Sequence, residues 1–271
     1  VSPRLGVLGW PVAHSRSPAI QNAALAASGL DDWRYQHLPV PPALVAETVR
    51  ALPGSGFLGA NVTIPHKQAV LALADAASPR AREIGAANTL TFAPDGSIAA
   101  DNTDAPGLIA ALPQSPRGER AMVLGAGGSA RAAVWALREA GASEVLVWNR
   151  TVSRAQQLAR ELGVTAVPRP QPAELLVNCT SLGLEVERSA TPDYVLNQLA
   201  LTFDALGEYS YVVDMVYRAH STTPLLAAAQ ERGVPALDGL EVLVAQGALS
   251  FELWTGRPAP LEVMRAAARE R

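Results

Sequence analysis

One cysteine, Cys179, stands in 271 residues. That excludes an intrachain disulfide and any zinc site built from several thiolates, and it makes a reducing cytoplasm the expected setting. The four histidines add no ligand set, because neither His14 nor His66 stands at metal-ligand spacing from another histidine or from Cys179. No metal is expected, and Cys179 is expected to pack in the core. Clustered positive charge is missing too. Lys and Arg number 22 against 25 Asp and Glu, a net charge of -3, so the chain has no basic field to gather nucleic acid or an anionic membrane. No apolar run reaches bilayer length, and Val1 to Trp10 lacks the cationic start and apolar stretch of a secretory signal. Low-complexity tracts and solenoid repeats are absent. What is present is a chain 49% hydrophobic and 17% charged. It is long enough to exceed one core, so two domains and a small-molecule partner are expected.

Short apolar runs bounded by turn residues alternate with helical patterns from the start, as a parallel doubly wound sheet reads. Leu5 to Gly9, Trp33 to Leu38 and Phe57 to Val62 read as strands, with helices over Ala19 to Ser28 and Ala43 to Leu52 and again from His66. Ser17 and Pro18 read as an N-cap and first helical residue. A short helix after Ser78-Pro79 runs to Gly85. Thr89 to Ala93 and Ser97 to Ala100, joined by Pro94-Asp95-Gly96, predict a hairpin at the sheet's antiparallel edge. Beyond a helix over Thr103 to Leu112 and a linker at Pro113 to Arg120, the alternation restarts with strands at Ala121 to Leu124, Glu144 to Trp148, Leu175 to Cys179 and Tyr211 to Met215. Leu240 to Leu253 is apolar nearly all round and is expected to pack back on the first domain. An amphipathic helix over Ala259 to Ala268 closes the chain. The expected fold is α/β with two domains. Residues 1–103, completed by 238–271, form a mixed open sheet, and residues 104–237 form a Rossmann-type, doubly wound domain.

Met122-Val123-Leu124 runs into Gly125-Ala126-Gly127-Gly128-Ser129-Ala130, a GxGxxG/A fingerprint placed after a strand and opening a helix. Gly125 permits the tight turn, Gly127 lets the backbone approach a pyrophosphate, and Ala130 allows close helix-to-sheet packing. Amide N–H groups at the helix start meet the phosphate charge. The next strand ends at Trp148, where an NAD-binding protein places a carboxylate for the ribose. Here stand Asn149, Arg150, Thr151 and Arg154. Two guanidiniums and a hydroxyl suit a 2′-phosphate that a carboxylate would repel, so NADP is the expected cofactor.

A second set of polar residues gathers at strand ends: Trp10 to Pro18, Asn61 to Lys67, Asn88, Asp101 to Asp104, and Gln246 on the buried helix. Alone, Lys67 reads as a surface charge and Asp104 as a helix cap. Together, His14-Ser15-Arg16-Ser17-Pro18, Asn61-Val62-Thr63 with Lys67, Asn88-Thr89, Asp101 to Asp104, Gly125 to Ala130, Asn149 to Thr151, Asp238-Gly239-Leu240 and Ala245-Gln246 resemble the shikimate dehydrogenase family over essentially the full length. Departures are Cys179 and Leu184 in the Asn178-Cys179-Thr180-Ser181 and Gly183-Leu184 segments, and Glu241 where a glycine is common.

The resemblance implies reversible reduction of 3-dehydroshikimate to shikimate, with Lys67 and Asp104 as the catalytic pair. It implies Ser15 and Ser17 on the substrate carboxylate, and Thr63, Asn88, Asp104 and Gln246 around the ring hydroxyls, with Tyr217 near the substrate. Thr180 and Ser181 fall beside the cofactor, and Met215 and Gly239 near the nicotinamide. It leaves a homodimer open. Removing hydride from a carbinol carbon also requires a group that takes the hydroxyl proton. Desolvation weakens a lysine's hold on its proton and an adjacent carboxylate strengthens it, and the residues alone leave both outcomes open.

Overall fold

The computed structural model describes residues 2–184, 191–218 and 221–270. The chain divides into two units, Val1–Gly107 with Leu243–Arg271, and Leu108–Val242.

In the first unit, β1 (Arg4–Gly9), α1 (Ser17–Ala27), β2 (Arg34–Pro39), α2 (Val45–Ala51), β3 (Phe57–Val62), β4 (Ala76–Ala77), α3 (Pro79–Ile84), β5 (Thr89–Phe92) and β6 (Ile98–Asp101) follow in order. The sheet runs β2-β1-β3-β5-β6-β4. β1 pairs parallel with β2 and β3, whereas β5 is antiparallel to both β3 and β6. The buried strand residues Leu8, Ala60, Val62, Leu90 and Ala100 share one core with Val45, Val49 and Leu52 from the α2 segment.

Three local expectations need correction. The β5–β6 hairpin is not the sheet's edge, because β4 pairs parallel with β6 through Ala76↔Ala99 and Ala77↔Ala100; two residues are too few to show a strand period in sequence. No α-helix starts at His66. The Lys67 carbonyl accepts from Ala87 N–H at 2.8 Å, which ties it to the segment before β5, and only a 3-10 turn follows at Ala69–Leu73. Ser17 does not cap its helix. It is the first helical residue, behind Arg16 at the N-cap position, and no side chain caps that end.

The second unit opens within α4 (Asp104–Ala111). It then contains β7 (Arg120–Leu124), α5 (Gly128–Glu139), β8 (Glu144–Trp148), α6 (Val152–Leu162), β9 (Thr165–Ala166), β10 (Leu175–Asn178), α7 (Pro192–Gln198), β11 (Tyr211–Asp214), α8 (Pro224–Glu231) and β12 (Ala236–Asp238). All its strands pair parallel in the order β12-β11-β10-β7-β8-β9. That is the doubly wound dinucleotide order, with the direction of progression reversing between β7 and β10. Alternate strand residues feed opposite faces: Met122, Leu124 and Leu176 join one core, and Ala121, Val123 and Val177 the other. α9 (Gly239–Thr255) and α10 (Leu261–Arg269) complete the chain. No helix among the described residues is long and apolar enough to cross a membrane.

Candidate active site

The first unit gathers most of its sequence-marked polar residues below the surface. Lys67, Asn88, Asp104 and Gln246 are all buried. Lys67 Nζ lies 2.7 Å from Asp104 Oδ2, while Asn88 Nδ2 donates to Asp104 Oδ1 at 2.9 Å and to Gln246 Oε1 at 3.0 Å. The Asn88 oxygen in turn accepts from Thr103 N–H at 2.7 Å, fixing which way the amide faces. Both oxygens of Asp104 are thus engaged. Removing one partner of such a buried pair strands the other, at a cost of about 3–5 kcal/mol.

Behind this group lies a second layer, in which Asn61, Thr89 and Thr103 of the sequence-marked segments meet two residues that the sequence does not mark, Tyr35 and Ser250. Tyr35 Oη donates to Asn61 Oδ1 at 2.8 Å, and Asn61 Nδ2 donates to Ser250 Oγ at 2.9 Å and to the Asn88 carbonyl at 3.2 Å. Ser250 Oγ also meets Thr89 Oγ1 at 3.0 Å and Thr103 Oγ1 at 3.1 Å. The available signal was Ser250 standing one helical turn beyond Gln246 on a largely apolar helix.

Ser15 and Ser17 lie where β1 leads into α1. Ser15 Oγ donates to Ser17 Oγ at 3.2 Å, and Ser17 N–H to Ser15 Oγ at 3.3 Å, so the two hydroxyls stand as a pair. Thr63, half-buried, is held by its N–H on the Leu8 carbonyl at 2.8 Å. Asp101 is engaged elsewhere. Its carboxylate binds Arg80 Nε at 2.7 Å and Ser78 Oγ at 2.5 Å. Partial burial pushes its pKa up, but these bonds and the Arg80 charge outweigh burial and hold it below the usual range. His66 is a buried loop residue, with Nε2 at 2.8 Å from the Val40 carbonyl. Cys179 is half-buried rather than fully in the core.

In the second unit Gly125 follows β7 at φ 115°, and a Cβ there would meet the Cys179 carbonyl carbon at 3.1 Å, so only glycine takes this turn without strain. Gly127, extended at the head of α5, faces open space, and Ala130 is fully buried against the sheet. Asn149 Nδ2 donates to the Thr151 carbonyl at 2.9 Å. Arg150, Thr151 and Arg154 are exposed, and no ion pair among the described residues holds either guanidinium. Ser129 is half-buried in the first turn of α5, behind Ala126 and Gly128.

Asp214, at the end of β11, organises the neighbouring turns. It accepts from Asn178 Nδ2 at 2.9 Å, Val216 N–H at 3.1 Å and Thr223 Oγ1 at 2.6 Å. Complete burial pushes its pKa up to about 7; those three bonds oppose the rise, and the Asp238 carboxylate adds to it. Asn178 Oδ1 receives Thr180 Oγ1 at 2.8 Å, and Ser181 beyond is exposed. Met215 and Tyr217 follow β11, both half-buried. A Cβ on Gly239 would stand 2.7 Å from the carbonyl oxygens of Asp214 and Met215, so the residue is constrained by packing. The Gly125 turn, the open face at Gly127 and the unpaired arginines together fit a phosphorylated dinucleotide.

Three family models match this chain, each in its own stretch. A family model described as "Shikimate dehydrogenase substrate binding domain" matches residues 7–90, one described as "Shikimate / quinate 5-dehydrogenase" matches 110–179, and a "Shikimate 5'-dehydrogenase C-terminal domain" model matches 239–269. The shikimate dehydrogenase (NADP(+)) of Methylobacterium radiotolerans is 47% identical over 274 residues, covering 96% of this chain and 93% of that protein. The chain belongs to the shikimate dehydrogenase family. The shikimate 5-dehydrogenase of Thermus thermophilus, solved in complex with NADP(H) and shikimate, matches with a TM-score of 0.86 and 42% identity over 98% of each chain. The shikimate dehydrogenase fold also matches a 5-ketofructose reductase of Gluconobacter at TM-score 0.81 and 31% identity, over 99% of this chain and 98% of that one. Substrate choice is therefore read from side chains rather than from the fold.

Proposed function

We infer that the chain catalyses the reversible, NADP-dependent reduction of 3-dehydroshikimate to shikimate, on the way to chorismate and the aromatic amino acids, with Lys67 and Asp104 handling the proton. The observation that carries this reading is the buried Lys67 Nζ–Asp104 Oδ2 contact of 2.7 Å, oriented by Asn88. Bound NADP supplies or accepts the hydride. As the neutral amine, Lys67 takes the hydroxyl proton while the carbinol becomes a ketone, and Asp104 holds the ammonium so formed; in the reverse direction that ammonium returns the proton. The Asp104 oxygens, the Asn88 amide and the Gln246 oxygen offer acceptors and donors for ring hydroxyls, and Thr63 is assigned to the same ring. The Ser15 and Ser17 hydroxyls hold the substrate carboxylate.

Gly125 to Ala130 would take the pyrophosphate, and Asn149, Arg150, Thr151 and Arg154 the 2′-phosphate. Thr180 and Ser181 would lie beside the cofactor, and Met215 and Gly239 near the nicotinamide. Val1–Gly107 with Leu243–Arg271 is the substrate unit in this reading, and Leu108–Val242 the cofactor unit. A cytoplasmic setting suits the single cysteine. A homodimer is the assembly to test first by sedimentation.

The test follows NADPH formation at alkaline pH with shikimate and with quinate, each repeated with NAD, and NADPH consumption with 5-ketofructose. Shikimate with NADP is expected to dominate. Equal or better turnover with NAD, quinate or 5-ketofructose overturns the assignment.

A further inference from the structure

Arg16 stands between the two serines assigned to the substrate carboxylate, where a cation would be the obvious countercharge. The guanidinium is committed elsewhere. Its Nη2 donates to the Ala267 carbonyl at 2.8 Å and to the Glu270 carbonyl at 2.7 Å, and its Nε to the Ala268 carbonyl at 3.3 Å. A helix leaves its last four carbonyls without helical partners. At the end of α10 the Ala266 carbonyl accepts from Glu270 N–H at 3.2 Å, and Arg16 supplies donors to the Ala267 and Ala268 carbonyls. A cation at a helix C-terminus also opposes the negative end of the dipole. α10 lies along α1, with Met264, Ala267 and Ala268 buried.

We propose that Arg16 is a positioning residue. By capping α10 it sets the path of residues 14–17 and hence the direction of the Ser15 and Ser17 hydroxyls, making the chain's last helix part of the carboxylate subsite. The proposal rests on the reading that those hydroxyls bind the carboxylate. Two neutral hydroxyls are weak donors one at a time, so their hold on an anion depends on being held at the right angle beforehand. The loop's backbone is held too: Ser15 N–H donates to the Val12 carbonyl at 3.0 Å, and His37 Nε2 lies 3.0 Å from the Ser15 carbonyl. Arg16 ties the loop to a segment 251 residues away in sequence, at Ala267.

The experiment compares the full chain with Ser15→Ala, Arg16→Ala and Arg16→Lys, reading kcat, both KM values and the thermal midpoint, with the shikimate KM followed across a salt series. Arg16→Ala is expected to raise the shikimate KM roughly ten-fold through lost orientation, with kcat and the NADP KM within about two-fold. Arg16→Lys keeps one ammonium in place of the fork and should fall between, at roughly three-fold. The salt slope of the shikimate KM should be the same in Arg16→Ala as in the parent, because the guanidinium is not the substrate's countercharge. A slope flattened by Arg16→Ala would make Arg16 a direct ion partner and overturn the proposal. So would a parental KM in Arg16→Ala while Ser15→Ala raises it. If Ser15→Ala itself leaves KM unchanged, the carboxylate reading fails and takes the proposal with it. Should Arg16→Ala not fold, Arg16→Lys carries the test, and a parental KM there overturns it.

Discussion

In residues 1–107 and 243–271 the polar side chains assigned to chemistry meet one another below the surface. In residues 108–242 the groups assigned to the dinucleotide are mainly backbone turns and exposed guanidiniums. Lys67, Asp104, Asn88 and Gln246 form one hydrogen-bonded set, while Arg150 and Arg154 face solvent. The difference follows from what each task demands. Proton transfer requires groups at fixed distances and angles, which burial and mutual bonding supply. Recognising a phosphate requires charge and donors, which exposed arginines provide without prior ordering.

The largest effect should come from the buried set. Lys67→Met keeps much of the side chain's length but cannot move a proton, so kcat should fall by ~10² to 10⁴-fold, with both KM values changed only a few-fold. Steady-state kinetics measure this, and a kcat within a few-fold of the parent would remove Lys67 from the proton-transfer role.

The exposed set should answer differently. Arg150→Ala loses charge-assisted hydrogen bonds of ~1.5 to 3 kcal/mol, which corresponds to roughly a ten-fold to hundred-fold rise in the NADP KM. The KM for NAD should barely move. An equal rise for both cofactors would mean the guanidinium acts on something other than the 2′-phosphate.

The smallest effect concerns Asp214, a buried acid in the otherwise backbone-built unit, with its pKa raised to about 7. Because the folded state keeps this proton after the unfolded state has lost it, the group favours folding most below its ordinary value of 3.8. That contribution declines as pH rises toward about 7 and is flat above. Asp214→Asn lacks this titration. The parent's thermal midpoint relative to the variant's should therefore drop by several degrees between mildly acidic and neutral pH, at about 2–4 °C per kcal/mol. A difference independent of pH would show that Asp214 does not titrate there.

Much of this was legible before any coordinates. The Gly125 to Ala130 turn carries its own physical logic, since a tight turn, an approach to phosphate and close packing each require a small residue. The hairpin about Pro94-Asp95-Gly96 was marked by turn chemistry. Lys67 and Asp104, by contrast, have no local signature: 37 positions separate them, and only the pairing of β5 with β3 and β6 brings their segments together. The same holds for Arg16. Nothing local to its place between two serines reveals that its partners lie at the far end of the chain. The two-residue strand β4 and the turn at His66 were misread because long-range hydrogen bonds override local pattern there.

The central claim is that Lys67 and Asp104 work as one unit, and a double-mutant cycle tests it most directly. Kcat is measured for Lys67→Met, Asp104→Asn and the two combined, with folding checked by thermal midpoint. If the pair acts together, each single variant already disables it, and the double variant should be far less impaired than the product of the single losses. Losses that multiply would show two groups acting independently and contradict the account.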